Sequence, residues 1–360
     1  MPAQNAMRMR DDLVDLEPYD PGACVQEVIL SANENPFGVP RALREAMNEA
    51  VAQSAFNRYP DPLADALRED IASWHDVSRD CVIVGNGGDE IIFDLLLAFG
   101  GSQRTLIDCP PTFSIYALYA KLTGTNVVTI VRDEADFSID RESVEKAAAQ
   151  ADLIMLTSPN NPTGNLVDPA WVQKLAASTD ALVVVDEAYV EFAKEGSTCL
   201  PLVSSCGNVA VLRTFSKAFA LAGARCGYLI GPADVVRGIA AVRQPYSVNV
   251  LSQAVARVAV QGRAAYQLDI EEIRRERARL IDRLSEIDGI EVWPSEGNFV
   301  LVRMPNASEV YERLRDRFSI LVRNFSRSAG LKDCLRITVG TPGESQRVVS
   351  ALDILRKEMK

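Results

Sequence analysis

The sequence predicts an α/β protein built around a mainly parallel sheet. Between residues 81 and 212, short apolar runs alternate with longer segments of helical periodicity. Apolar runs of this kind are typical of parallel strands whose two faces are both covered by helices. Residues 289–360 contain three shorter strand-like runs and two helical segments. This change of pattern predicts a second, smaller α+β domain at the C-terminal end.

Turn residues separate the predicted elements. Pro40 stands near the first position of a helix, where its missing amide is tolerated, and the glycine-rich stretch 85–90 opens another helix. Helices are predicted at 41–53, 63–75, 91–99, 114–123, 141–150, 169–178, 252–287, 308–317 and 344–358. Strands are predicted at 81–84, 105–108, 126–131, 153–156, 182–187, 209–212, 290–293, 299–302 and 335–339, with a further apolar run at 228–230.

These elements predict a domain organisation. We expect an N-terminal arm at 1–35 that joins the small domain, a large domain at 36–250, a long linking helix at 251–288 and a small domain at 289–360. The arm is irregular and contains the Pro and Gly residues of an extended segment. The charge run of the linking helix is interpreted as a solvated helix face.

Composition excludes several classes of function. The net charge of −11 over 360 residues argues against nucleic acid and anionic membrane surfaces as partners. The seven cysteines are odd in number and form no C-x-x-C pair, which favours a reduced, cytoplasmic protein. His75 is the only histidine, so a His-based metal site or a Ser-His or Cys-His nucleophile is not expected. The N-terminal residues have no signal-peptide pattern, and no window is long and apolar enough for a transmembrane helix.

Lys217 is the first candidate functional residue. It follows the apolar run 209–212, lies beside the hydroxyls of Thr214 and Ser216, and is followed by Arg225. An amine, two hydroxyls and a guanidinium suit a ligand that carries both an aldehyde and a phosphate. Pyridoxal 5′-phosphate is such a ligand. The residues alone are equally compatible with an ordinary solvated loop.

Other strand ends carry further candidates. Gly87–Glu90 opens a helix after a strand and suits an anion, although many such turns only begin a helix. Asn161 lies in the turn 160–164, which turn chemistry alone also explains. Asp186 ends a buried strand, where its carboxylate needs a partner such as a pyridinium nitrogen or a helix N-terminus. Phe113 suits stacking on a flat ring or packing in the core.

Taken in this order, these stretches identify a family. The chain resembles the histidinol-phosphate aminotransferases of the fold-type-I family that uses pyridoxal 5′-phosphate. The resemblance runs from about residue 16 to the C-terminal helix. The matching stretches are Asn33-Glu-Asn-Pro, Asn57-Arg-Tyr-Pro, Gly87-Gly-Asp-Glu, Cys109-Pro-Pro-Thr-Phe, Ser158-Pro-Asn-Asn-Pro-Thr-Gly, Asp186-Glu-Ala-Tyr, Ser216-Lys-Ala-Phe-Ala-Leu-Ala-Gly-Ala-Arg-Cys-Gly and Cys334-Leu-Arg-Ile-Thr-Val-Gly-Thr.

The resemblance implies roles for individual residues. By this resemblance, Lys217 is the Schiff-base lysine and the proton shuttle. Asp186 pairs with the pyridine nitrogen, and Tyr189, the third catalytic residue, holds the ring oxygen together with Asn161. Cofactor contacts are implied for Gly88, Asp89, Phe113, Asn161, Asp186, Tyr189, Thr214, Ser216, Lys217, Arg225 and, from the other subunit, Tyr59. Substrate contacts are implied for Tyr19, Asn33, Tyr59, Asn161, Arg323 and Arg336. No metal is implied. Many relatives have Ala in place of Gly88 and Tyr in place of Phe113; backbone amides and ring stacking tolerate both changes.

The resemblance also implies fold, reaction and assembly. The expected large domain has a mainly parallel seven-stranded sheet, and the expected protein is a homodimer with sites at the subunit interface. The expected reaction transfers the amino group of histidinol phosphate to 2-oxoglutarate in histidine biosynthesis. Three alternatives stay open: an aromatic or other amino-acid aminotransferase, an enzyme like the threonine-phosphate decarboxylases, and a non-catalytic binding or regulatory module. The intact trio Lys217, Asp186 and Arg225 argues against the last of these.

Overall fold

A seven-stranded sheet forms the centre of the larger part of the chain, in a computed structural model that describes residues 9–14, 16 and 25–359. The strands are β1 (Val28–Ile29), β2 (Val82–Gly85), β3 (Thr105–Asp108), β4 (Asn126–Thr129), β5 (Leu153–Thr157), β6 (Leu182–Asp186), β7 (Val209–Thr214), β8 (Gly227–Ile230), β9 (Glu291–Val292), β10 (Phe299–Arg303), β11 (Ile320–Leu321), β12 (Arg323–Asn324) and β13 (Cys334–Thr338). The helices are α1 (Arg41–Ala52), α2 (Asp65–His75), α3 (Gly88–Phe99), α4 (Ile115–Thr123), α5 (Arg141–Ala148), α6 (Pro169–Ala177), α7 (Leu202–Ser205), α8 (Ala233–Val242), α9 (Val250–Gln261), α10 (Gln267–Ser285), α11 (Ala307–Arg317) and α12 (Pro342–Glu358).

The central sheet has the strand order β2-β8-β7-β6-β5-β3-β4. All neighbouring strands run parallel except β8, which is antiparallel to both β2 and β7. The predicted mainly parallel, seven-stranded sheet is therefore confirmed. Its register aligns Thr157 with Asp186 and Thr214 with Gly227. The carboxyl ends of β5, β6 and β7 thus meet the amino end of β8 at one edge, where α/β folds place ligand sites.

Helices cover both faces of this sheet. Strands β5, β6 and β7 are buried along their whole length. One face packs against apolar side chains of α3, α4 and α8, and the other against those of α5 and α6. This burial on both sides explains why these strands are continuous apolar runs rather than alternating ones.

A second sheet of four antiparallel strands, in the order β12-β13-β10-β9, lies in the C-terminal part. Helices α10, α11 and α12 pack against it. The short strand β1 pairs with β11, and Thr338 at the end of β13 donates its amide hydrogen to the Leu30 carbonyl. Residues 28–30 are therefore bound to the C-terminal part by backbone hydrogen bonds.

The prediction of one continuous helix over 252–287 is wrong. Helix α9 ends at Gln261, a 3₁₀ turn spans Arg263–Tyr266, and α10 begins at Gln267. Gly262 stands at the break, and a Cβ there would lie 2.3 Å from the Leu43 side chain of α1. Glycine at this position therefore allows α1 to pack closely against the end of α9. Helix α8, which follows Pro232, was not anticipated from the sequence.

Tyr19 lies outside the described residues. Within residues 9–14, 16 and 25–359, none of the helices has the length and apolarity needed to cross a bilayer. The same residues contain no group of acidic, histidine and cysteine side chains suited to a metal ion.

Candidate active site

Lys217 lies three residues beyond β7, at the edge of the sheet where the carboxyl ends of β5, β6 and β7 meet. Its Nζ atom donates a hydrogen bond to the Ala32 carbonyl over 2.7 Å and lies 5.9 Å from the centre of the Tyr189 ring. Burial lowers the pKa of this amine to about 8, and the nearby positive charge of Arg336 acts in the same direction. An amine with this pKa is partly neutral near physiological pH and is therefore a competent nucleophile and base.

Asp186 ends β6 with its carboxylate enclosed by protein. Oδ1 accepts a hydrogen bond from the Ala188 amide over 3.0 Å, and Oδ2 accepts one from the Tyr116 hydroxyl over 2.6 Å. Burial raises the pKa of Asp186 to about 6, while the bond from Tyr116 opposes that rise. Both oxygens remain acceptors, so the carboxylate can bind a further N–H donor such as a protonated ring nitrogen.

Tyr189 is enclosed by amide side chains. Its hydroxyl accepts hydrogen bonds from Asn33 over 3.1 Å and from Asn161 over 3.3 Å. Three hydrogen bonds fix Asn33. Its amide donates to the Thr338 hydroxyl, and that hydroxyl donates to the Asn33 side-chain oxygen. The Asn298 side chain donates to the Asn33 carbonyl. Asn33 therefore ties the N-terminal segment to the C-terminal sheet and orients Tyr189. Its predicted substrate contact stays a prediction.

The start of α3 is packed tightly against β8 and Arg225. A Cβ atom on Gly227 would lie 2.8 Å from the Gly88 amide nitrogen, and one on Gly87 would lie 2.6 Å from the Arg225 guanidinium. Gly87 also has a φ of +86°, a conformation that glycine adopts readily. Glycines at these positions let the helix N-terminus, β8 and the guanidinium approach one another. The first turn of α3 has free amide groups that favour an anion.

Two linked hydroxyl groups, those of Thr214 and Ser216, lie at the end of β7. The Thr214 hydroxyl donates to the Ser216 hydroxyl over 2.9 Å and accepts from the Ser216 amide over 3.1 Å. Because Ser216 accepts from Thr214, its own proton can point toward an anion. Arg225 pairs with Asp89 of α3 at 3.0 Å. Backbone amides, a hydroxyl and a guanidinium are the donors that a phosphate group requires.

Arg336 projects from β13 into the same region. Its guanidinium donates to Oδ1 of Asn161 over 2.6 Å and to the Ser31 carbonyl, and it lies over the rings of Phe299 and Phe325. Arg323 of β12 is aligned directly with Arg336 across the two strands. Side chains of directly aligned residues lie on the same face of the paired strands, so this face carries two guanidinium groups, the groups that favour anionic ligands.

Two further predicted residues take separate places. Phe113 precedes α4 and packs edge-on against Tyr116, with ring centres 5.7 Å apart. Tyr59 is 82% exposed and stacks on Tyr246 at 4.6 Å. The Tyr59 ring thus contacts Tyr246 of its own chain. Its role toward a second subunit stays a prediction.

The sequence reasoning missed Tyr116 and Thr157. Tyr116 is fully buried, and its hydroxyl lies 2.6 Å from Asp186 and 2.9 Å from Thr157. Tyr116 stands in the first turn of α4, just after the segment that follows β3. Phe113 precedes this helix, so no helix-face spacing connects the two residues, and no local signal in the sequence indicated Tyr116.

The donors and acceptors together fit pyridoxal 5′-phosphate. The Lys217 amine suits the aldehyde of this cofactor, and the buried Asp186 carboxylate suits its ring nitrogen. Tyr189 and Asn161 suit its ring oxygen, and the start of α3 suits its phosphate. The glycine-lined approach between α3, β8 and Arg225 is the observation that carries this fit, because larger residues there would collide with the Arg225 guanidinium and the Gly88 amide and push these donors apart.

Fold and site together define the aminotransferase class of enzymes. Residues 25–352 match the family of class I and II aminotransferases, and the chain belongs to that family. It is 40% identical to histidinol-phosphate aminotransferase 1 of Carboxydothermus hydrogenoformans over 347 residues, which cover 95% of this chain and 97% of that protein.

Solved structures show the same fold. The crystal structure of histidinol-phosphate aminotransferase from Sinorhizobium meliloti in complex with pyridoxal-5′-phosphate superposes with a TM-score of 0.89 at 23% identity, covering 99% of this chain and all of that one. The L-threonine-O-3-phosphate decarboxylase of Porphyromonas gingivalis superposes with a TM-score of 0.81 at 28% identity, covering 92% of this chain and 99% of that one.

Proposed function

We propose that this protein is a pyridoxal-phosphate-dependent histidinol-phosphate aminotransferase. It transfers the amino group of L-histidinol phosphate to 2-oxoglutarate, giving imidazole-acetol phosphate and L-glutamate in histidine biosynthesis. The relative from Carboxydothermus hydrogenoformans supports this assignment through its identity over nearly the full chain. The observation that carries it is the register of β12 and β13, which places Arg323 directly opposite Arg336 and so provides two arginines on one face for a substrate phosphate.

The cofactor is assigned to the site described above. Lys217 bonds its aldehyde, Asp186 pairs with the ring nitrogen, and Asn161 and Tyr189 hold the ring oxygen, while Phe113 stacks on the ring. The phosphate takes the amides of Gly88 and Asp89, the guanidinium of Arg225 and the hydroxyl of Ser216, which the Thr214 hydroxyl orients. When bound, pyridoxal 5′-phosphate supplies a carbon that takes up the amino group and a ring that accepts the electron pair left when the substrate loses a proton.

The protein's own groups then act in the reaction. Nζ of Lys217, with its pKa lowered to about 8, takes the proton from the substrate carbon and later returns one. The Asp186 carboxylate holds a positive charge on the ring nitrogen in a site without bulk water, where such pairing is strong. The Tyr189 hydroxyl, held by Asn33 and Asn161, keeps its direction during these transfers.

Substrate choice is assigned to the anion-binding arginines. Histidinol phosphate has no carboxylate, so its phosphate is placed at Arg336 and Arg323. 2-Oxoglutarate has a carboxylate for Arg336 in the second half-reaction. Tyr19, Asn33 and Asn161 remain proposed as further substrate contacts.

A homodimer is proposed as the functional assembly. Tyr59 and Phe56 are 82% and 71% exposed, and Tyr59 stacks on the partly exposed Tyr246. Exposed aromatic side chains this close together favour a protein interface. Tyr59 is proposed to contact the phosphate and substrate bound to the other subunit. A cytoplasmic location is proposed from the cysteine usage of the sequence.

The domain limits predicted from the sequence are retained as a proposal, with one change. The segment 251–288 is a pair of helices, α9 and α10, rather than a single linking helix. Residues 28–30 support the assignment of the arm to the small domain, because they bond to β11 and β13.

Single-turnover half-reactions test the assignment. The holoenzyme is mixed with histidinol phosphate, histidinol or phenylalanine, and loss of the cofactor absorption band is followed. We expect histidinol phosphate to react with much higher efficiency than the other two amines. Comparable efficiency with phenylalanine would instead favour an aromatic aminotransferase.

The likeness to the threonine-phosphate decarboxylase keeps one alternative under test, because that enzyme also acts on a phosphorylated amine. Turnover of histidinol phosphate should require 2-oxoglutarate. Release of carbon dioxide from threonine phosphate without any oxo acid would identify a decarboxylase.

A further inference from the structure

Tyr116 makes a buried contact that no proposed step has used. It lies on α4 with no exposed surface, and its hydroxyl donates to Oδ2 of Asp186 over 2.6 Å. The Thr157 hydroxyl lies 2.9 Å from the same phenolic oxygen. Since the single phenolic proton is used on Asp186, Thr157 is the donor in this second contact, and it shares its proton with the Thr112 hydroxyl at 3.1 Å. A hydroxyl that accepts one hydrogen bond donates the next more strongly.

The contact comes from outside the strand that carries Asp186. The Ala188 amide, two residues on in the same chain segment, holds Oδ1 at 3.0 Å. Tyr116 approaches Oδ2 from α4, and Thr157 belongs to β5, where it is aligned directly with Asp186. Two donors on two oxygens fix the plane of the carboxylate, since rotation of the group would break both bonds.

We propose that Tyr116 is a positioning residue for Asp186: its hydroxyl directs the carboxylate toward the cofactor's ring nitrogen and keeps it a hydrogen-bond acceptor. The proposal rests on the proposed function, because it requires a cofactor with a ring nitrogen at Asp186. It does not depend on which amine is the substrate. Tyr116 touches neither reacting atoms nor cofactor in this assignment and acts through Asp186.

The electrostatics agree with this role. Burial raises the pKa of Asp186 to about 6, and the negative charges of Asp89 and Glu187 add to the rise. The bonds from Tyr116 and from the Ala188 amide are the influences that oppose it. Without the phenolic hydroxyl, a larger share of the acid would be protonated near neutral pH and could no longer accept a hydrogen bond from a protonated ring nitrogen.

Binding of two compounds distinguishes a positioning role of Tyr116 from a role in core packing alone. The test titrates PLP-free protein with pyridoxal 5′-phosphate and with its 1-carba analogue, in which a CH group replaces the ring nitrogen. Tyr116→Phe keeps the buried ring but removes the hydroxyl. We expect it to weaken binding of pyridoxal 5′-phosphate about tenfold, the effect of one hydrogen bond to a charged group. Affinity for the carba analogue should change less than about threefold.

The matched control is Tyr266→Phe. Tyr266 is also fully buried, and its hydroxyl has no hydrogen-bond partner among the described residues. This variant should bind both compounds as the wild type does. In steady-state assays, Tyr116→Phe should lower kcat with little change in KM, since the substrate contacts are untouched.

Each outcome decides the proposal. Equal losses for both compounds would assign Tyr116 a packing role only, and no loss for either would show that the hydroxyl is dispensable. If Tyr116→Phe does not fold, Thr157→Val tests the same network. This variant should show a smaller loss of affinity, again confined to pyridoxal 5′-phosphate. An equal effect on both compounds overturns the proposal. A wild type that binds neither compound overturns the cofactor assignment and this inference with it. A wild type that shows the expected selectivity but does not react with histidinol phosphate loses only the substrate assignment.

Discussion

The amino group of Lys217 should titrate far below an ordinary lysine in the PLP-free protein. Burial is the main cause of its lowered pKa of about 8, and Arg336 contributes a repelling positive charge. Near pH 7.5 such an amine is about one-quarter neutral, whereas an amine at the usual 10.5 is about 0.1% neutral. The reactive fraction is therefore roughly 200-fold larger at this position.

Removing the repelling charge tests the physical reasoning. Arg336→Met should raise the pKa of Lys217 above 8, because a positive neighbour disfavours the charged amine. The value should remain below 10.5, because burial, the larger cause, is unchanged. Arg336→Lys keeps a positive charge in the same place and should leave the pKa near that of the wild type.

Competitive acetylation between pH 6 and 11, followed by peptide mapping, measures this pKa. Lys174, whose side chain is 74% exposed, serves as the internal reference for reagent reactivity. A midpoint for Lys217 above pH 10 in the wild type would refute the assignment of a buried, partly neutral amine. A midpoint unchanged by Arg336→Met would refute the role of that charge. The unfolded chain binds more protons here between pH 8 and 10.5, so Lys217 should also make stability rise with pH in that interval.

Three further predictions follow from the site. Asp186→Ala should weaken binding of pyridoxal 5′-phosphate by about 1.5–3 kcal/mol, the range for a charge-assisted hydrogen bond, and fluorescence titration that finds an unchanged Kd contradicts this. Arg336→Ala should slow both half-reactions, whereas Arg323→Ala should mainly slow the half-reaction with histidinol phosphate. Stopped-flow measurements with glutamate and with histidinol phosphate distinguish the two variants. Equal loss of rate with both substrates in both variants would argue against a phosphate contact of Arg323. Tyr59→Ala and Lys217→Ala should each be inactive but regain part of the activity when mixed under conditions of subunit exchange, and a fully active monomer in sedimentation would remove the basis for this expectation.

Local patterns were sufficient for most of the fold. The apolar runs at β5, β6 and β7 identify buried parallel strands, because both faces of these strands are covered and no alternation is needed. The break at Gly262 was missed because helical periodicity continues on both sides of it. The need for glycine there comes from the close packing of Leu43, more than 200 residues earlier in the chain.

The sequence by itself determined the α/β class, the order of the central elements and the residues that end its strands. These depend on hydrophobic periodicity and turn chemistry, which are properties of neighbouring residues. Only the tertiary structure decided which hydrogen-bond donors and acceptors of the site come together. The Tyr116 hydroxyl reaches Asp186 from 70 residues away, and Asn33 reaches Tyr189 from 156 residues away. The lowered pKa of Lys217 is likewise a tertiary effect, because burial and the charge of Arg336 arise only when β7 and β13 come together around one site.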